Sequence, residues 1–123
     1  MPSMEEAAYL TGQEDPAAIS EIFLEMGATV CILKWGERGS YIHTGENQFR
    51  VPAFKVKVSD TTGCGDSYCG GFIAGLALGR DLRAACELGT ATSGLVATGL
   101  GSDAGVVDLE QVEAFASKTE RLP

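Results

Sequence analysis

The run Asp-Thr-Thr-Gly-Cys-Gly-Asp-Ser-Tyr-Cys-Gly-Gly-Phe, Asp60 to Phe72, constrains this chain more than any other part of it. It follows a strand-like run, residues 54–58, and leads into a helical apolar pattern at Tyr68, Phe72, Ile73 and Leu76. Gly63 and Gly65 flank Cys64, so the backbone can turn sharply there and leave its N–H groups uncovered. Together with the free N–H groups of a helix's first turn, these form a concave donor site suited to an anion. Asp66 sits at the rim of that site. Two readings are open for its carboxylate: an N-terminal helix cap, or a general base beside a bound phosphate. Two better-known phosphate loops do not fit. A dinucleotide loop needs a third glycine where Tyr68 stands, and a Walker A loop needs Lys-Ser/Thr where Gly71 follows Gly70.

A chain of 123 residues is one domain at most, large enough for a core but small for a complete two-substrate enzyme. Hydrophobic residues make up 45% and charged ones 21%, the balance of a globular chain. A net charge of −8, with an isoelectric point near 4.5, argues against nucleic acid or an anionic membrane as partner. It does not exclude a nucleotide, because backbone amides and one or two cations can supply the local field. No apolar run reaches the roughly 18 residues of a membrane span, and the acidic start Met1-Pro2-Ser3-Met4-Glu5-Glu6 is unlike a signal peptide. The four cysteines, Cys31, Cys64, Cys69 and Cys86, lack Cys-x-x-Cys spacing, and His43 is the one histidine, which disfavours zinc. Reduced thiols in a cytoplasmic protein are expected, with Cys31 and Cys86 in the core.

The Asp60–Phe72 run resembles the C-terminal signature of the ribokinase-like (PfkB) sugar and nucleoside kinases, Asp-Thr-(Thr/Val)-Gly-Ala-Gly-Asp-x-Phe-x-(Gly/Ala)-Gly. Cys64 replaces the usual Ala and Tyr68 the usual Phe. Both swaps are mild, although the Tyr68 hydroxyl needs a partner. The resemblance implies that Asp66 is the catalytic base and that Gly63, Cys64 and Gly65 form an anion hole for the transferred phosphoryl group.

Taken in order, Ser3 to Leu10 reads as a short helix stopped by Gly12. Pro2-Ser3-Met4-Glu5-Glu6-Ala7 is similar to the family's Pro-Asn-x-x-Glu-Ala segment, with Ser3 in place of Asn. By resemblance Glu6 affects magnesium and phosphate handling; by physics alone it is a first-turn acid favoured by the helix dipole. Asp15-Pro16 caps a helix whose apolar stripe is Ile19, Ile22, Phe23 and Met26. Residues 29–33 then read as a strand buried on both faces. Lys34-Trp35-Gly36-Glu37-Arg38-Gly39 resembles the family's Thr-Leu-Gly-x-x-Gly turn along ATP, which makes Lys34, Gly36 and Gly39 candidate nucleotide contacts. The alternative is a solvated strand end and a hairpin. Residues 41–44 and 48–51 read as antiparallel strands, with His43 expected at the surface.

Gly71, Gly75 and Gly79 recur every four residues along the helix after the motif, which implies close packing against another backbone. A second helix spans 82–96 with Leu88, Ala91 and Leu95 as its stripe. By resemblance its small residues wall an adenine pocket, and Thr90 is the candidate contact. The loop at 97–102 resembles the one that closes the family's nucleotide and monovalent-cation sites. In members that use potassium, carbonyls there act with residues matching Asp60 and Thr62; Gly101 is the loop candidate. A helix-terminal glycine turn explains Gly99 equally well. Asp108 caps a last helix with Leu109, Val112 and Phe115 inward.

The expectation is therefore an α/β fold, the C-terminal half of a ribokinase-like αβα sandwich with a mostly parallel sheet. Residues 1–123 would form the nucleotide-binding and catalytic part, without the N-terminal sugar-binding and lid part. The implied reaction is ATP-dependent phosphorylation of a sugar or related alcohol, with Mg2+ and, in some members, K+. The alternative is an inactive nucleotide- or phosphate-binding half-domain, or a partner subunit. Self-association or pairing with a longer chain is expected, since the missing half would leave an apolar face exposed.

Overall fold

The computed structural model describes residues 1–59, 61, 63–99 and 108–123, and its helices begin where the capping chemistry puts them. Helix α1 is Met4–Thr11. Ser3 and Glu6 close a capping box across its first turn, and Gly12, at φ 70°, ends it in the left-handed region. Helix α2, Pro16–Glu25, has the Asp15 carboxylate accepting from the Ala18 N–H at 3.1 Å and Pro16 in its first turn. Ile19 is fully buried, and Phe23 packs partly buried on the same core. Met26, expected on this stripe, is 77% exposed. It caps the helix C-terminus, past the last turn that points toward the core.

Three strands follow: β1 Cys31–Lys34, β2 Ser40–His43 and β3 Gln48–Val51. They form one sheet in the order β1-β2-β3, with both pairs antiparallel. A mostly parallel sheet was expected. Among the described strands and bridges the Ser3–Lys34 bridge is the parallel contact, and the rest of the pairing is antiparallel. The cause is local. Residues 35–39 and 44–47 are connections long enough for hairpins only, whereas a parallel return needs a crossover of a dozen residues or more. The α/β mixture itself is as expected.

His43 is the clearest departure. It is 5% exposed, not at the surface, because α2 brings Ser20 against it. Ser20 Oγ lies 2.8 Å from His43 Nδ1, and Gln48 Nε2 lies 3.3 Å from His43 Nε2. These elements make up one compact unit, Met1–Val51, whose core joins Met4 and Ala7 of α1, Ile19 of α2, and Cys31 and Leu33 of β1.

The second unit is Pro52–Pro123. Of the expected strand at 54–58, Phe54 alone makes a bridge, to Arg121. The C-terminal tail takes the main-chain bonds there, through Lys55 N–H to the Glu120 carbonyl and Leu122 N–H to the Ala53 carbonyl. The Arg121 guanidinium lies 3.9 Å over the Phe54 ring and pairs with Glu87. Helices α3, Cys64–Ala77, and α4, Leu82–Ala97, pack along their length; α5, Leu109–Lys118, covers the far side of α4 with Val112 and Phe115. Leu109, expected inward, is 39% exposed, because it opens the first turn of α5 beside the exposed cap Asp108.

Two of the three spaced glycines explain the α3–α4 contact. A Cβ at Gly71 would lie 2.9 Å from the Leu88 carbonyl oxygen, and one at Gly75 would lie 2.8 Å from Ala85 Cα. Gly79 has nothing within 4 Å; its φ of 78° shows that it serves as the left-handed stop after α3 instead. Gly89 does for α4 what Gly71 does for α3, since a Cβ there would meet the Tyr68 carbonyl at 2.9 Å.

Buried Tyr68 hydrogen-bonds Cys86 from across this contact, which supplies the partner its hydroxyl requires. Burial pushes the Cys86 thiol up to about 11, against the smaller opposing effect of that bond. Cys31 is also raised by burial, whereas Cys64 and Cys69 are half-buried. An aromatic disulfide reagent at pH 8 should therefore label Cys64 and Cys69 quickly and leave Cys31 and Cys86 unreacted until urea is added. Fast labelling of Cys86 in the native chain would contradict its burial. The sign of the pH effect follows as well. The unfolded chain ionises Cys86 at its ordinary value, near 9, while the folded chain resists up to about 11. Stability is thus complete below pH 9 and falls as pH rises through that window.

Candidate active site

The two units carry different parts of the candidate machinery. In the second unit, Gly63 adopts φ 80° and serves as the N-cap of α3, with no side chain to cap with. The Ser67 N–H closes the first helical bond on the Gly63 carbonyl at 2.9 Å. Cys64 and Gly65 are the first two residues of the helix, and Asp66 is the third. The cap reading for Asp66 is therefore not what is seen: glycine holds that position, and the Asp66 carboxylate projects exposed from the first turn. A carboxylate is tolerated there because it faces the positive end of the helix dipole.

Of the three amides assigned to the anion hole, Cys64 N–H is engaged, donating to the Thr61 carbonyl at 3.1 Å. A phosphoryl oxygen would take that donor only as the Thr61–Cys64 turn opens. Ser59 is tied to the last turn of α4 by its N–H to the Ala97 carbonyl at 2.8 Å. Thr90 sits on α4 with 6% exposure, and its hydroxyl donates to the Cys86 carbonyl at 2.8 Å. Asp60, Thr62 and Gly101, the candidate monovalent-cation residues, lie outside the described residues.

In the first unit, two candidate segments meet. Lys34 N–H donates to the Pro2 carbonyl at 3.0 Å, and Ser3 and Lys34 form the parallel bridge. This lays the Pro-Ser-x-x-Glu segment beside the Lys-Trp-Gly-x-x-Gly turn. Glu6 Oε2 accepts from the Ser3 N–H at 3.0 Å, and the Glu6 N–H donates to Ser3 Oγ at 3.2 Å. The Glu6 carboxyl is held below its ordinary value first by the Ser3 main-chain bond, then by the Ser3 side chain, with a smaller pull from Lys34. Glu6 thus closes the capping box of α1, with Lys34 a smaller influence on its carboxyl.

The turn itself is a single 3-10 turn, Gly36–Arg38, with Gly36 at φ 53° and Gly39 at φ 84°. Trp35 N–H donates to the Gly39 carbonyl at 2.7 Å and closes it. Arg38 was not assigned from sequence. Its guanidinium stacks 5.0 Å over Trp35, and the Arg50 side chain donates to the Arg38 carbonyl at 3.3 Å. The cation–aromatic spacing within Lys34-Trp35-x-x-Arg38 was the available signal.

Among the described residues there is no group of three His, Cys, Asp or Glu side chains that could hold a metal ion. Magnesium bound through nucleotide phosphates needs only one or two protein carboxylates and keeps several waters, so a lone Glu6 is compatible with it. Among the described residues no helix is long and apolar enough to cross a membrane.

The sequence pattern of the "pfkB family carbohydrate kinase" matches residues 1–108. An ATP-dependent 6-phosphofructokinase from Thermoanaerobacterium thermosaccharolyticum is 34% identical over 94% of this chain and 35% of its own length. The crystal structure of a ribokinase from Thermotoga maritima superposes with a TM-score of 0.86 at 32% identity, covering 95% of this chain and 41% of that one. A candidate ribokinase II of E. coli, in complex with ATP and Mg2+, gives the same TM-score and identity over 96% of this chain and 38% of its own. The chain spans about a third of the length of the curated relatives it matches. Its fold is ribokinase-like. The chain belongs to the pfkB family of carbohydrate kinases.

Proposed function

We propose that this chain is the nucleotide-binding and catalytic portion of a kinase that transfers the γ-phosphoryl group of ATP to a sugar hydroxyl. The observation that carries the reading is the start of α3. A left-handed glycine opens the helix, and an exposed carboxylate stands in its first turn, on the match to the family signature. In this reading Asp66 accepts the acceptor's hydroxyl proton as its oxygen forms a bond to the γ-phosphorus. The bond from that phosphorus to the bridging oxygen breaks, and ADP leaves with the electron pair. The Gly63, Cys64 and Gly65 amides stabilise the transferring oxygens at the positive end of α3.

Lys34, with Gly36 and Gly39 shaping the turn, takes the nucleotide phosphates, and Thr90 contributes to the adenine wall by packing. Magnesium supplies charge neutralisation on the phosphates when bound, with Glu6 as the carboxylate of this chain nearest that role. Asp60, Thr62 and Gly101 are the proposed contacts for a potassium ion. The proposed setting is the cytoplasm.

A second reading is an inactive nucleotide- or phosphate-binding half-domain, or a subunit that pairs with another chain. It is favoured by the engaged Cys64 amide. One experiment separates the two. A chimera in which residues 1–123 replace the matched segment of the Thermotoga ribokinase is mixed with ATP–Mg2+ and a panel of pentoses, hexoses, sugar acids and nucleosides. Acceptor-dependent ADP release is expected. A folded chimera that binds ATP–Mg2+ but releases no ADP with any acceptor would leave the binding-module reading standing.

A further inference from the structure

We propose that Arg38 and Arg50 form a phosphate site at the edge of the Lys34–Gly39 turn, holding a phosphate group of the bound nucleotide or of a second phosphorylated molecule. The proposal deepens the reading of that turn as phosphate-facing and rests on it. Arg38 stands at a position that the family's Gly-x-x-Gly pattern leaves open, and Arg50 lies outside the pattern. Gly36–Arg38 is one 3-10 turn, in which residues three apart stand one above the other. The Arg38 N–H donates to the Trp35 carbonyl at 3.0 Å, and the guanidinium lies 5.0 Å from the centroid of the Trp35 ring. That ring is itself held, half-buried against the core of Met4, Ala7, Ile19, Cys31 and Leu33. Stacking uses the face of a guanidinium and leaves its in-plane N–H donors for other groups. Arg50 arrives from β3, exposed and opposite Tyr41, and donates from Nη1 to the Arg38 carbonyl at 3.3 Å. One of its five N–H donors is spent there. Two planar donor forks thus converge on one turn.

The charge balance is local. The chain carries 17 acidic and 9 basic side chains, so carboxylates are plentiful. Arg80 and Arg121 pair with them, through Glu113 and Glu87. Among the described residues no carboxylate pairs with Arg38 or Arg50, the neighbouring Glu37 included. Two guanidinium groups brought to one turn repel each other, and an anion shared between them turns that cost into attraction. Lys34 adds a third positive charge at the start of the turn, whose field also acts on Glu6. A phosphate fits three cations better than a carboxylate does, because it carries more charge and offers three acceptor oxygens.

The test uses the full 123-residue chain, in which Trp35 is the single tryptophan and its fluorescence reports on the turn directly. Inorganic phosphate and ATP–Mg2+ are titrated at constant ionic strength, which keeps screening fixed. The Nε–H signals of Arg38 and Arg50 are followed in parallel in 15N spectra. A saturable change at all three side chains is expected with either probe. Arg38→Gln and Arg50→Gln should each weaken that binding about tenfold. Arg38→Lys, which keeps the charge and gives up the planar fork, should fall between these and the parent. Lys118→Gln, on α5, makes the same change in net charge and should bind as the parent does. Competition between the two probes assigns the site to the nucleotide's own phosphates; binding of both together assigns it to a second phosphorylated molecule. The site is overturned by a folded chain that shows no saturable change, by folded arginine variants that bind like the parent, or by an equal loss in Lys118→Gln. Acceptor-dependent ADP release by the chimera, alongside any of those results, would leave the phosphoryl-transfer reading standing, so the two ideas fail separately.

Discussion

Asp66→Asn, made in the ribokinase chimera, should lower kcat by ~10²-fold or more and leave ATP–Mg2+ affinity largely unchanged. The substitution keeps the size and shape of the side chain and removes its ability to take a proton. Asp66 is exposed in the first turn of α3 and caps nothing, so little of the helix depends on its charge. A first-turn carboxylate contributes at most a few tenths to about 1 kcal/mol through the dipole at an exposed site. That is too small to unfold the helix or to scatter the amides around Gly63. The expected pattern is therefore a fall in kcat, with binding of nucleotide kept, as for a group that acts in the transition state. Near-parental turnover by Asp66→Asn would remove this carboxylate from the chemistry. Loss of ATP–Mg2+ binding together with turnover would instead assign Asp66 a role in nucleotide binding.

The elements that were legible in the sequence are those whose chemistry is local. Ser3, Glu6 and Gly12 delimit α1, and Asp15-Pro16 opens α2, because capping needs only residues within one turn. The Gly45-Glu46-Asn47 turn marks the β2–β3 hairpin for the same reason. What escaped depends on partners distant in sequence. His43 looked like a surface residue because Ser20, which makes its burial acceptable, stands 23 residues earlier on another element. The antiparallel pairing of β1 with β2 was not expected, because the short 35–39 connection enforces a hairpin here, whatever the sheet of a complete domain looks like. At the candidate site, the motif placed Asp66 and the Gly63 turn correctly on α3. It could not show that the Cys64 amide is already donating to Thr61, since that bond depends on how tightly the turn closes. Gly79 had the spacing of a packing glycine and the conformation of a helix stop, and spacing alone does not separate the two.

Gly75→Ala should destabilise the chain by ~1–3 kcal/mol, while Gly70→Ala on the same helix should stabilise it by ~0.5–1 kcal/mol. Two effects oppose each other at both positions. Replacing a helical glycine by alanine restricts the unfolded chain and favours the helix by up to about 1 kcal/mol. Against that stands whatever the new methyl group meets. At Gly70, exposed on α3, it meets nothing within 4 Å, so the propensity gain remains alone. At Gly75 it would lie 2.8 Å from Ala85 Cα and 3.1 Å from Ala85 Cβ. Those atoms are backbone and the first side-chain carbon, with no rotamer to yield, so α3 and α4 must separate. Separation loosens the contact that buries Tyr68 and Leu88 and that places the first turn of α3, where Asp66 stands. Urea unfolding followed by far-ultraviolet circular dichroism, with amide exchange in α3 and α4 as the local readout, measures both variants. Exchange should quicken in both helices for Gly75→Ala and slow in α3 for Gly70→Ala. Equal effects of one sign at the two positions would mean that helix propensity, not the close approach of the two backbones, decides what these glycines do.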